Sequence, residues 1–245
     1  MKTLGLIGKN ISYSFSRLYF TNKFEKENLS KIEYVNFDIE AISNVKDILQ
    51  NEKNVGFNVT IPYKEEMLPF LDQLDEHAQA IGAVNVIVKK EGKTIGSNTD
   101  WIGFLQSLPD DVNKLHKKAL VLGTGGASKA IVYALQQVGI EALRVSRFKK
   151  DGAISYKDLT HELIQSHTLI IHTTPIGTFP QIEKSIDFPF EHITEQHYVY
   201  DLIYNPEETM FLKKAKKRGA RTQNGYLMLI YQAEAAWKMW GLNNL

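Results

Sequence analysis

The chain has 245 residues, 43% of them hydrophobic, enough for a sizeable core in one large domain or two modest ones. Lys and Arg number 29 against 28 Asp and Glu, so no overall charge field draws nucleic acid or an anionic membrane. The absence of cysteine excludes disulfides, thiol nucleophiles and thiolate metal sites, and the seven histidines show no metal-ligand spacing, so no metal is expected.

The first segment, MKTLGLIGKN, carries an apolar stretch too short for a signal-peptide core, and no later run approaches a membrane span; a cytoplasmic protein is expected. Short apolar runs at 4–7, 34–37, 56–61, 84–88, 119–122, 142–146, 169–172 and 199–202 read as strands. They alternate with helical patterns, which argues for βαβ units and mostly parallel sheets in an α/β fold. The strand at 56–61 stops at Pro62 and gives way to a polar helical start at Tyr63 and Lys64. Lys64 then stands at the C-terminal mouth of a strand, where ligands of open α/β sheets sit, although the same position suits a solvated lysine. A boundary is expected after Asp100, where a helix over 101–108 leads through Pro109 to the strand at 119.

ALVLGTGGASKAIVYALQQVG places glycines 123, 125 and 126 between that strand and a helix over 127–138 ended by Gly139. Strand, glycine turn and helix in this order suit a dinucleotide pyrophosphate, with a purely structural turn as the alternative. Ser128 takes the third motif position, where Gly or Ala is usual, so looser helix packing is expected. The next strand ends near Ser146, about twenty residues past the loop, without the acidic residue that would bind an NAD ribose. Arg147 follows instead, with Lys149 and Lys150 behind it, and a guanidinium pairs with a 2′-phosphate; NADP is the expected cofactor. Farther on, Pro206, Glu207 and Glu208 suit a helix start, Lys213 to Arg218 a solvated helix end, and 226–240 an amphipathic helix packing back on the first lobe.

SYSFS, NVTIPYK, GAVNV, NTDWIGF, GTGGAS, VSR, TTPIG, YDLIYNPEET and NGYLMLIYQA occur in this order along the chain. With them the sequence resembles the shikimate dehydrogenase family from Gly5 to Leu242. The resemblance implies a two-lobed fold: a substrate domain over 1–101 completed by 225–245, and a Rossmann-type NADP domain over 102–224, facing each other across a cleft that closes on its ligands. It implies reduction of 3-dehydroshikimate to shikimate with NADP, with Lys64 and Asp100 catalytic. Substrate contacts are implied for Ser14, Ser16, Asn58, Thr60, Asn85, Tyr204 and Gln232. Cofactor contacts are implied for Gly123, Gly125, Gly126, Ala127, Ser128, Ser146, Arg147, Thr174, Leu202 and Gly225. Ser14 and Ser16 also suit helix capping. Three departures from the family pattern stand out: Arg17 for a proline, His172 for the asparagine of an Asn-Ala-Thr run, and Asp151 where some members carry a second arginine, a role open to Lys149 or Lys150. Rival readings are a quinate/shikimate dehydrogenase using NAD, and a silent dinucleotide-binding regulator that keeps the fold.

Overall fold

A computed structural model describes residues 1–12, 14–149 and 152–242. Its chain divides into two compact units, Met1–Thr99 with Ala233–Leu245, and Asp100–Gln232.

The first unit holds β1 (Lys2–Gly8), α1 (Phe15–Lys26), β2 (Ile32–Asp38), α2 (Val45–Gln50), β3 (Asn54–Val59), β4 (Gln73–Leu74), α3 (Glu76–Ile81), β5 (Val86–Lys90) and β6 (Lys93–Ser97). Its sheet runs β2-β1-β3-β5-β6-β4. β1 pairs in parallel with β2 and β3, and β4 with β6, so this sheet is mostly parallel, as expected, with β5 its one antiparallel strand. Alternation along the strands separates two apolar layers. Ile7, Phe57, Val59 and Ile87 face one core with Val45 and Leu49 of α2, and Leu4, Leu6 and Tyr34 face another with Phe20 and Phe24 of α1 and with Trp237. A Cβ at Gly56 would fall 2.6 Å from the Trp240 indole nitrogen, which donates to Ile87 O at 3.1 Å. Glycine there admits the closing indole.

The second unit holds α4 (Asp100–Ser107), α5 (Val112–Leu115), β7 (Lys118–Leu122), α6 (Gly126–Gln137), β8 (Glu141–Ser146), β9 (Ile154–Ser155), α7 (His161–Ser166), β10 (Leu169–His172), β11 (Tyr198–Asp201), α8 (Met210–Lys216) and β12 (Arg221–Asn224). Its six strands are all parallel and ordered β9-β8-β7-β10-β11-β12, that is 3-2-1-4-5-6 in chain order. Leu120, Leu122, Ile170 and Val199 pack with Phe211, Leu212 and Ala215 of α8 on one face. Ala119, Val121, Ile171 and Tyr200 pack with Phe104 of α4 and Ile131 of α6 on the other. Helices on both faces explain why these strands read as unbroken apolar runs.

The last helix, α9 (Tyr226–Met239), begins in the second unit and ends in the first. A close approach accounts for this: a Cβ at Gly103 of α4 would lie 2.6 Å from Met228 O and 2.8 Å from Gln232 N. Two expectations of local structure need correction. β3 ends at Val59, and residues 61–67 form turns followed by a 3-10 segment, Leu68–Phe70, in place of a helix at Tyr63. Pro69 has no N–H to donate to Glu65, so the turn that Met67 N–H closes on Tyr63 O is not continued. Downstream, Pro206 does not start a helix; α8 starts at Met210 because Thr209 caps it, accepting from Leu212 N–H at 3.2 Å.

Candidate active site

The parallel pairing of β1 with β3, and the antiparallel pairing of β3 with β5 and of β5 with β6, put the ends of β1, β3 and β6 and the start of β5 at one edge of the first sheet. Ser14, Ser16, Thr60, Lys64, Asn85 and Thr99 follow or precede those strand ends. Lys64, half-buried, accepts Val84 N–H on its carbonyl at 2.8 Å, which holds it beside the strand carrying Asn85. Thr60 donates its N–H to Ile7 O at 2.9 Å. Ser14 caps α1, its hydroxyl accepting Ser16 N–H at 3.2 Å, so the capping alternative describes it while its hydroxyl hydrogen can still serve a ligand.

Beneath this edge runs a buried ladder that the sequence did not reveal. Tyr34 OH donates to Asn58 Oδ1 at 2.7 Å, Asn58 Nδ2 to Asn85 O at 3.3 Å, Asn85 Nδ2 to Thr99 Oγ1 at 3.0 Å, and Thr99 N to Asn85 Oδ1 at 2.6 Å. Burial pushes the Tyr34 hydroxyl well above its ordinary pKa, while the Ser16 side chain beside it pulls the other way; the phenol therefore keeps its proton for Asn58. That donor and the Asn85 carbonyl together set which way the Asn58 amide faces. Asn98, also buried, donates to Ala83 O at 2.9 Å and fixes the segment leading to Asp100.

Of the remaining expected substrate contacts, Asp100, Tyr204 and Gln232 lie in the second unit. Asp100 is buried at the start of α4, Tyr204 is half-buried in the segment before α8, and Gln232 donates to Leu229 O at 3.0 Å.

In the second sheet, β7 and β10 are neighbours whose connections leave in opposite directions, the switch point at which open α/β sheets bind ligands. Gly123 has φ +133°, and a Cβ there would fall 2.4 Å from Thr173 Oγ1, so a side chain is excluded. A Cβ at Gly125 would meet nothing within 4 Å, which leaves open space before Gly126 and Ala127 in the first turn of α6. Gly125 supplies no side-chain cap, and the first-turn amides of a helix lack intrahelical partners; the cradle fits a pyrophosphate. Ser128 tightens the loop where looser packing was expected: its buried hydroxyl donates to Gly123 O at 2.7 Å.

Arg147 is exposed just past β8, following Ser146, whose hydroxyl donates to Phe148 O. Burial pushes Tyr156 up to about 12, and the Arg147 charge acts on it in the opposite sense. Lys149 is committed elsewhere, 3.1 Å from Asp158 Oδ1; the Ser155 N–H and then this ion pair hold the Asp158 carboxyl below its usual range. Lys150 and Asp151 lie outside the described residues. Thr174 borders the glycine loop, its methyl 3.3 Å from the Cβ position of Gly123. A Cβ at Gly225 would fall 2.0 Å from Leu202 O, so the glycine there answers a backbone approach.

A 3-2-1-4-5-6 parallel sheet with an open glycine cradle at its switch point defines a Rossmann-type dinucleotide-binding protein, here joined to a second α/β unit with a polar sheet edge. The chain belongs to the shikimate dehydrogenase family. Residues 6–87 match the model described as shikimate dehydrogenase substrate binding domain. A shikimate dehydrogenase (NADP+) of Caldicellulosiruptor saccharolyticus is 36% identical over 98% of this chain and 92% of its own. Among solved structures, a shikimate dehydrogenase in complex with NADP+ is 35% identical, covering 98% of this chain and 90% of that one, with a TM-score of 0.86. The Thermus thermophilus enzyme in complex with NADP(H) and shikimate is 30% identical, over 98% and 93%, also at 0.86.

Proposed function

We propose that this protein catalyses the reversible NADP-dependent reduction of 3-dehydroshikimate to shikimate. The observation that carries the reading is the full-length similarity to NADP-dependent shikimate dehydrogenases in a chain that keeps an open glycine cradle at its switch point and an arginine, not a carboxylate, directly after β8.

Bound NADPH supplies a hydride to the substrate carbonyl carbon. Lys64 delivers the proton that the carbonyl oxygen then requires, and its ammonium stabilises the developing alkoxide; in the reverse direction the amine takes the proton back. Asp100 accepts a hydrogen bond from the neighbouring ring hydroxyl. Ser14 and Ser16 hold the substrate carboxylate, and Asn58, Thr60, Asn85, Tyr204 and Gln232 supply donors and acceptors for a polyhydroxylated ring. Such a site rejects analogues that lack a hydroxyl, because its buried polar groups would go unpaired. Arg147 pairs with the 2′-phosphate, and the first-turn amides of α6 with the pyrophosphate. Among the described residues no helix is long and apolar enough to cross a membrane. We place the enzyme in the cytoplasm, as a monomer or homodimer without nucleic-acid or membrane partners.

Absorbance at 340 nm with shikimate or quinate against NADP or NAD tests this reading. Rapid reduction only with shikimate and NADP is the expected result. Turnover with quinate and NAD would replace it by the broader dehydrogenase, and silence in all four combinations by the regulator.

A further inference from the structure

His116, His167, His172 and His197 are buried inside the fold, and His77 pairs with Glu76 at 3.6 Å. The two remaining histidines meet at the surface of the second unit. His161, exposed, opens α7, which Thr160 caps by accepting Leu163 N–H at 3.2 Å. His192, half-buried, ends a short 3-10 turn, Phe190–His192, in the connection from β10 to β11. They stand 31 positions apart, so no spacing in the sequence announces the pair. Three contacts hold the turn that carries His192. Gln165 Nε2 donates to His192 O at 2.6 Å, Arg218 donates to Glu191 O at 2.6 Å, and the Phe190 ring packs on Phe211 at 5.3 Å between centroids.

Nδ1 of His161 lies 3.3 Å from Nδ1 of His192, and the ring centroids are 5.0 Å apart with the planes at 72°. Neither Nε2 has a hydrogen-bond partner among the described residues, so each can carry the ring hydrogen and leave Nδ1 a lone pair. Zinc holds imidazole nitrogens at about 2.0–2.1 Å in a tetrahedral shell, an edge of which is then about 3.3–3.4 Å and sets the ring centres about 5.2 Å apart. Rings joined head-on by a hydrogen bond of this length would stand about 5.6 Å apart, and 3.3 Å is already long for such a bond. Both observed spacings fit two adjacent corners of one tetrahedron.

We infer that His161 and His192 form a binding site for a divalent transition cation of the zinc class, which would clip the start of α7 to the connection between β10 and β11. Imidazole nitrogen suits such a cation, whereas magnesium and calcium prefer oxygen. Among the described residues no group of three histidines or carboxylates stands ready to hold a metal, so water fills the remaining corners and the ion exchanges. The site adds to the metal-free expectation drawn from the sequence and is independent of the dehydrogenase reading.

Calorimetric titration of the intact chain with zinc chloride, and separately with magnesium chloride, tests it. One zinc per chain is expected, with no magnesium uptake at the same concentration. His161→Ala and His192→Ala, which leave the apolar core untouched, should each weaken zinc at least about tenfold, and His77→Ala should change it less than about twofold. Zinc should also raise the urea midpoint of the wild-type protein and leave that of the double variant unmoved. The imidazole proton signals of His161 and His192 should shift together as zinc is added. Absence of uptake by wild-type protein at about 1 mM zinc overturns the inference. So does uptake undiminished in either single variant, or uptake that His77→Ala removes, the mark of zinc held adventitiously elsewhere.

Discussion

Tyr34→Phe isolates one hydroxyl in the ladder under the substrate edge. The ring itself stays: its stacking on Phe20, at 4.8 Å between centroids, needs no oxygen. What is lost is the donor to Asn58 Oδ1, at 2.7 Å, between side chains that are 4% and 5% exposed, so no water can readily replace it. An unsatisfied buried acceptor costs about 1–3 kcal/mol. With a urea slope of about 2 kcal/mol/M, the unfolding midpoint should fall by roughly 0.5–1.5 M with the slope unchanged. Asn58 also loses one of the two bonds that orient its amide, so the Michaelis constant for shikimate should rise severalfold while kcat changes less. A cycle with Asn58→Ala separates the pair term, and coupling of at least about 0.5 kcal/mol is expected because the two groups touch. A Tyr34→Phe protein with an unmoved midpoint, an unchanged Michaelis constant and additive behaviour in the cycle would refute the ladder as a support of the site.

Lys64→Ala should lower kcat by about 10²–10⁴-fold and leave the Michaelis constant for shikimate nearly unchanged, the pattern of an interaction made in the transition state; near-normal turnover removes Lys64 from the chemistry. Arg147→Ala should weaken NADP about 10–100-fold, one charge-assisted contact, and NAD within about twofold, whereas Lys149→Ala, already paired with Asp158, should change NADP affinity less than about threefold; titration of both cofactors against both variants decides. Thr94 donates its N–H to Asp72 Oδ2 at 2.7 Å and its hydroxyl at 2.8 Å, and these bonds hold the Asp72 carboxyl below its usual range. A folded pKa below the unfolded one contributes stability above the ordinary carboxylate range and loses it as pH falls, so Asp72→Asn should flatten the acid side of the stability curve measured by urea unfolding.

The four inner strands of the second unit, β7, β8, β10 and β11, were legible because its sheet is covered on both faces. Leu169, Ile170 and Ile171 are all fully buried, and a run with no polar face has only one reading between turn signals. The glycine loop was legible for a different reason: at Gly123 backbone conformation and a neighbour at 2.4 Å exclude every side chain, so chemistry and residue type coincide. β6 and β12 were missed. KTIGS and RTQN carry few apolar residues, and β12 is an edge strand, so what makes them strands is hydrogen bonding to β5 and β11, a pairing that composition does not record.

The least legible part of the candidate site is its support. Tyr34 reads in the sequence as one more apolar residue of a strand, and burial at 4% agrees. Its hydroxyl matters because β1 separates β2 from β3, so that a long side chain paired with Leu4 reaches across to Asn58, which pairs with Leu6. His172 follows the same logic. One position of apparent drift becomes a two-ended link only when the register sets β10 beside β11 and brings Asp201 to one nitrogen while Thr174 turns back to the other. Motif residues meet a ligand whose chemistry is fixed, and they can be read from the chain. Residues that aim them answer to neighbours supplied by strand order, so their roles are set by topology and become visible only with it.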